Sequence, residues 1–213
     1  MVDALSTSTD ISAMQEGETY YFAVRACPDD RSLCCAFSTE VAGIVPYAQS
    51  VIYEDGEDGN TQGWSVYDNS PAGASISNVI EPDSGDRVIA VSGAGLDNGY
   101  KLRGEDGQRW GNDTHHVISW DMKYSEDFHV YVDVETSAGQ RYLEYTPTTG
   151  SDRLGDGQYV HHSLDVGLTD GSWQRVERDL AADLADAQPG VELLQVNGFL
   201  IRGSGLLDNI GMH

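Results

Sequence analysis

The sequence predicts an all-β protein: an antiparallel two-sheet β-sandwich of the jelly-roll type over residues 51–213, preceded by a short N-terminal β-segment. Short runs of aromatic and β-branched residues recur at even spacing, separated by Gly, Asp and Asn clusters that read as turns. Glycine numbers 24 against 6 prolines, and apolar residues make up 39%, so the chain can build a core while spending many positions on turns. Only residues 179–187, alanine-rich and stopped by Pro189-Gly190, look helical.

Taken in order, residues 18–27 (Glu-Thr-Tyr-Tyr-Phe-Ala-Val-Arg-Ala-Cys) follow the turn residue Gly17 and read as a strand, with a second at 35–45. Residues 47–50 form a short polar bridge between a first region, 1–46, and a second, 51–213. In the second region the candidate strands are 64–68, 74–81, 87–92, 99–103, 116–123, 128–136, 141–146, 158–164, 173–179, 193–202 and 207–212. A series this long and this regular implies a sandwich or barrel, whose core is expected to hold Trp64, Trp120, Val130, Val132 and Phe199. Cys27, Cys34 and Cys35 allow one local disulfide, from Cys27 to either of the other two, with one thiol left over. Zinc fits them badly, because no histidine lies nearby.

The 35 acidic side chains against 12 basic ones give a formal charge of -23 and a pI near 4.2. Such a chain repels phosphate backbones and anionic headgroups, which excludes nucleic acid and membrane surfaces as natural partners. The acidity suits solubility in a salty extracellular medium, or cation capture. No run reaches the roughly 18 apolar residues of a membrane span. Met1 is followed by Val-Asp-Ala-Leu-Ser rather than by a basic and then apolar leader, so any export signal is expected upstream.

Along residues 128–136, Phe128, Val130, Val132 and Val134 alternate with His129, Tyr131, Asp133 and Glu135. One face is therefore core, and the other is polar and aromatic. Sugar rings stack their apolar faces on aromatics and present hydroxyl edges to charged or amide partners, so such a face suits a polysaccharide. His129, Tyr131, Arg141, Tyr145, His162 and Arg202 are the candidate ligand-binding residues. The two arginines are alternatively expected to pair with Asp133, Asp121 or Glu144 across the sheet. His161 and His162, adjacent on one strand, point to opposite faces and cannot serve one metal.

Calcium needs six to eight oxygens bent around it by glycine-rich turns. Tyr53-Glu54-Asp55-Gly56-Glu57-Asp58-Gly59-Asn60 supplies carboxylates and glycines, and Asp208 adds one from the last strand. Glu54, Asp55, Glu57, Asp58 and Asp208 are thus candidate ligands for a structural Ca2+ joining the first and last strands; the alternative is an acidic solvated turn. The order of residues does not match an EF-hand loop.

The segment 14–26 with Phe37-Ser38-Thr39-Glu40-Val41 resembles the last strands of a fibronectin type III domain, whose earlier strands would lie outside this sequence. Tyr53-Glu54-Asp55-Gly56, Gly63-Trp64-Ser65-Val66-Tyr67-Asp68, residues 87–93 and the closing Gly205-Leu206-Leu207-Asp208-Asn209-Ile210 resemble a carbohydrate-binding module of the calcium-containing β-jelly-roll type. Such modules occur on secreted bacterial polysaccharide-degrading enzymes. The resemblance implies a secreted or cell-surface, non-catalytic module that binds polysaccharide and neighbours further domains of a longer chain. An adhesion or matrix module is the alternative reading. A jelly-roll polysaccharide lyase, built on paper from Arg141, His129, Tyr131 and Tyr145, comes third, because the arginine-rich and Gln-x-His signatures of such lyases are absent.

Overall fold

The computed structural model describes residues 19–24, 36–44, 50–148, 155, 157–164 and 166–213. The chain divides into two compact units, Met1–Ser50 and Val51–His213. In the first, β1 (Thr19–Phe22) and β2 (Val41–Ile44) form an antiparallel pair. Cys27, Cys34 and Cys35, and with them the expected disulfide, lie outside the described residues.

The second unit is the two-sheet sandwich the sequence predicts. Its elements are β3 (Val51–Glu54), β4 (Trp64–Asp68), β5 (Ser75–Ile80), β6 (Arg87–Ser92), β7 (Gly99–Leu102), β8 (Val117–Tyr124), β9 (His129–Thr136), β10 (Gly139–Thr146), β11 (Tyr159–Ser163), β12 (Trp173–Asp179), α1 (Leu180–Ala187), β13 (Leu193–Arg202) and β14 (Gly205–Met212). One six-stranded sheet runs β11-β10-β9-β13-β7-β4, and the facing sheet runs β12-β8-β14-β6-β5, with β3 also paired to β14. The pairings are antiparallel with one departure from the sequence reading: β11 lies parallel to β10. A tight hairpin cannot join parallel strands, and the sequence sets residues 147–158 between these two.

The core is the inner faces of both sheets. Trp120, Val130, Val132 and Phe199 are wholly buried, and Trp64 nearly so, as the sequence predicts. The Trp120 ring meets Phe199 edge-on, with centroids 5.6 Å apart, and Tyr145 at 6.1 Å. Each such apolar side chain contributes about 1.5–3 kcal/mol by leaving water. Asp179 caps α1 by accepting from the N–H groups of Ala181 and Ala182. α1, with eight residues, is the only α-helix among the described residues, and no helix there is long and apolar enough to cross a membrane.

On the second sheet, Lys123 of β8 reaches the turn after β5, lying 2.9 Å from Glu81 and 3.2 Å from Asp83. The Lys123 ammonium, aided by the Ser84 N–H, holds the buried Glu81 carboxyl down at about 2. Its folded value lies below its ordinary 4.5, so this stabilisation is complete above about pH 4.5 and is lost as pH falls towards 2. Glu81→Gln is therefore expected to melt below the wild type at pH 7. The gap should close between pH 4.5 and 2 in a series of thermal melts.

Candidate functional site

The pleat of β9 decides the site. Val130, Val132 and Val134 point inward, and His129, Tyr131, Asp133 and Glu135 point outward. Register carries this parity across the sheet: Tyr131 lies opposite Glu144 and Leu200, Asp133 opposite Tyr142, and His129 opposite Arg202. In the parallel pair, Tyr142 sits beside Tyr159 and Glu144 beside His161. On β7 and β4, Gly99 and Lys101 lie outward beside Arg202 and Leu200, with Tyr67 spread over Gly99. A Cβ on Gly99 would lie 2.4 Å from the Tyr67 ring, so only glycine leaves room for it there.

The result is an open face with four tyrosines. Tyr142 and Tyr159 stack at 5.3 Å and 22°, and Tyr131 meets Tyr159 edge-on at 6.2 Å. Tyr159 is 55% exposed and Tyr67 37%, while Tyr131 and Tyr142 are half-buried. Polar groups hold these rings in place. The Arg202 guanidinium lies 5.4 Å from the Tyr67 ring centre and 2.7 Å from Asp68, and it donates to the carbonyls of Leu96 and Asp97. Arg103 pairs with the fully buried Asp133 at 2.7 Å, which also accepts from Gln140; the same Gln140 amide reaches the Tyr142 hydroxyl. His129 Nδ1 lies 2.9 Å from Glu144 and 3.1 Å from the Tyr131 hydroxyl.

Burial, and then the Glu144 carboxylate, push the Tyr131 hydroxyl well above its ordinary value. It therefore stays protonated and donates to Glu144. Burial alone would raise Glu144, but bonds from His129 and Tyr131 outweigh it and leave the carboxyl below its usual range. Beside these groups a cleft of about 240 Å3 is lined by His129, Glu144, Thr146, Thr148 and His161. The face thus offers aromatic platforms flanked by fixed donors and acceptors, with its arginines already paired.

Of the six residues the sequence proposes for one shared face, His129, Tyr131 and Arg202 are brought together there. Arg141, Tyr145 and His162 are on the other side of the sheet. Arg141 lies opposite Val134 and Tyr145 opposite Val130, so both share the core-facing parity. Arg141 bonds to Gln188 and to the carbonyls of Ala138 and Gln140. Tyr145 is fully buried, donates to Asp183 at 2.6 Å and stacks on His162, which is itself 2% exposed and bonds to the Asp183 carbonyl. The paper lyase constellation of Arg141, His129, Tyr131 and Tyr145 is consequently split by the sheet.

The expected arginine partners also differ. Arg202 takes Asp68, Asp133 takes Arg103, Asp121 takes Arg175, and Glu144 takes His129. Tyr67, Tyr142 and Tyr159 were missed, although signals for two of them exist. Leu143 marks the inward parity of its strand and so turns Tyr142 outward; Val160 does the same for Tyr159 and His161.

The five acidic residues proposed for calcium lie in two places in the chain. Glu54 ends β3 opposite Ile210, is 8% exposed, and accepts from the Gly56 N–H at 2.8 Å and the Trp64 indole N–H at 2.7 Å. Both its oxygens are committed to the fold, so it fits poorly as a metal ligand. Gly56, in the left-handed region at φ 72°, has a local reason as well: a Cβ there would lie 2.2 Å from the Arg87 carbonyl. Asp55 and Asp58 accept from the N–H groups of Glu57 and Asn60, and Glu57 from that of Arg87. Burial and the negative charges of Asp121, Asp55 and Glu57 raise Asp208 to about 6. Among the described residues, no group of three or more His, Cys, Asp or Glu side chains is placed to hold a metal ion.

No protein-family model matches this chain, and no curated protein matches it. Solved structures do. The chain is similar to the family 11 carbohydrate-binding module of the cellulosomal cellulase Lic26A-Cel5E of Clostridium thermocellum. Identity is 17%, over 78% of this chain and 95% of that one, with a TM-score of 0.45. It is similar, too, to the CBM22-1 and GH10 modules of the Clostridium thermocellum endo-1,4-beta-D-xylanase 10B, complexed with xylohexaose. There the identity is 10%, the coverage 78% and 29%, and the TM-score 0.46. A third likeness is to CBM35 from Paenibacillus barcinonensis, at 10% identity, 78% and 98% coverage and a TM-score of 0.32.

The inward cluster under α1 yields a stability prediction. Asp183 accepts from Arg178 and Tyr145, and Arg178 also lies 5.3 Å from the Tyr145 ring centre. Asp183→Ala would leave a half-buried guanidinium and a buried hydroxyl unpaired, so it should cost about 3 kcal/mol in denaturant unfolding.

Proposed function

We propose that residues 51–213 form a non-catalytic polysaccharide-binding module of a secreted, multidomain protein. The observation that carries this reading is the set of four tyrosines, Tyr67, Tyr131, Tyr142 and Tyr159, on one open face of the six-stranded sheet. Sugar rings stack on such rings, and the flanking Gln140, His129, Glu144 and Lys101 meet hydroxyl edges. The protonated Tyr131 is poorly suited to abstract a proton at neutral pH, which supports binding without chemistry. Because Arg103 and Arg202 are engaged with Asp133 and Asp68, the face has little spare positive charge, and the proposed substrate class is a neutral or weakly anionic polysaccharide. The fibronectin-like character of residues 1–46 supports a chain built of several extracellular modules, in which this one would hold a linked enzyme near its substrate.

Isothermal titration with oligosaccharides of β-1,4-glucan, β-1,3-glucan and xylan tests the reading. Tyr159→Ala and Tyr142→Ala are each expected to weaken binding by about 1–3 kcal/mol, roughly 5- to 150-fold. Because Tyr159 is largely exposed, its removal should move the melt little. Arg141→Ala should do the reverse, lowering the melt and sparing affinity. If no polysaccharide binds the folded protein, or if the tyrosine variants bind as the parent does, the reading is wrong; capture of a protein ligand instead would favour an adhesion module.

Calcium is a separate proposal. The mutual repulsion of Asp208 with Asp121, Asp55 and Glu57 supports it, since a divalent cation would relieve that repulsion once these side chains turned towards it. Binding to the native state alone adds about 2.7 kcal/mol at a hundredfold excess over Kd. Calcium should thus raise the melting temperature by several degrees over EDTA, and Asp208→Asn should abolish the rise. A melt indifferent to both would remove calcium from the account.

A further inference from the structure

The outer face of the sheet that holds β12, β8 and β14, across the sandwich from the tyrosines, carries a cleft of about 360 Å3. Register builds it. Arg175 of β12 lies beside Asp121 of β8, and Asp121 beside Asp208 of β14, in one outward-facing row. Trp173 stands two residues before Arg175 on the same parity, beside Lys123. Val88, 1% exposed, lies beneath it, and the turn after β5, pinned by Lys123 to Glu81 and Asp83, forms one wall.

The polar groups in this cleft alternate between donor and acceptor. Arg175 reaches Asp121 at 3.4 Å and the Ser119 hydroxyl at 2.9 Å. Asn209, in the left-handed region at φ 50°, sets its amide 2.9 Å from Asp121 and 3.2 Å from Asp208. The half-buried Trp173 has neither a ring partner nor a bond to its indole N–H among the described residues. An aromatic platform with an open N–H, beside interleaved carboxylate, amide and guanidinium groups, matches a pyranose with vicinal hydroxyls. The volume falls in the usual range for small-molecule sites.

We propose that this cleft is a second saccharide site, taking a single sugar unit stacked on Trp173 with its hydroxyls on Asp121, Asp208 and Arg175. It does not depend on the tyrosine face. Two sites on opposite sheets would let one module touch two neighbouring glycan chains.

The test is a 15N–1H NMR titration of the whole chain with methyl glucoside, methyl xyloside, cellohexaose, xylohexaose and laminarihexaose, run in EDTA and repeated in calcium chloride. The Trp173 indole signal should shift saturably with at least one of these sugars in EDTA. Trp173→Ala, or Asp121→Asn should the first fold poorly, should weaken the binding read at β12 and β14 by about tenfold or more and leave shifts around Tyr131 unchanged. Tyr131→Ala should do the converse. No indole shift with any of the sugars overturns the proposal, whatever the tyrosine face does. So does a sugar-induced indole shift seen only in calcium chloride, which would mean that a cation rather than these side chains holds the sugar, and so does loss of the indole shift in Tyr131→Ala, which would mean one site rather than two.

Discussion

The period-two pleat of β9 is the constraint on which the rest depends. Val130, Val132 and Val134 are wholly buried between Trp120, Phe199 and the other inner side chains, so the strand cannot slip by one residue without moving all three into water. At about 1.5–3 kcal/mol for each, that slip would consume much of the stability of an ordinary domain. Once this parity is locked, β10 and β13 inherit it through their ladders, and β11 and β7 through theirs. The tyrosine face is a consequence of the valines beneath it.

The same parity separates two kinds of polar cluster. Inside, Tyr145, His162, Arg178 and Asp183 satisfy one another under α1, as buried polar groups must. Outside, the polar groups serve as struts for rings: Arg202 and Asp68 for Tyr67, Asp133 and Gln140 for Tyr142, Glu144 and His129 for Tyr131. Fixing an aromatic ring before a ligand arrives reduces the ordering cost of binding. The arginines of this face, Arg103 and Arg202, are spent locally on Asp133 and Asp68.

Much of the architecture was legible in the sequence because alternation and turn residues are local signals. The bounds of 87–92, 173–179 and 193–202 match β6, β12 and β13, and the helix at 179–187 differs by one residue. The face was only half legible. Arg141 and Tyr145 drew attention as an arginine and an aromatic in a polar strand, yet Leu143 between them places all three inward. Tyr67 was invisible as a site residue because its place over Gly99 depends on the irregular register between β4 and β7. The parallel pairing of β11 likewise rests on a long-range contact that no local pattern reports. For Glu54, composition suggested a ligand where the fold uses a buried acceptor for Gly56 and Trp64.

The central claim, that a glycan lies on the outward parity of β9, β10 and β11, is tested most directly by intermolecular NOEs between a bound oligosaccharide and the aromatic protons of the protein. The account predicts contacts from sugar ring protons to Tyr67, Tyr131, Tyr142 and Tyr159, and none to Tyr145 or Trp120. A saturably bound oligosaccharide showing no contact with any of those four tyrosines would contradict it.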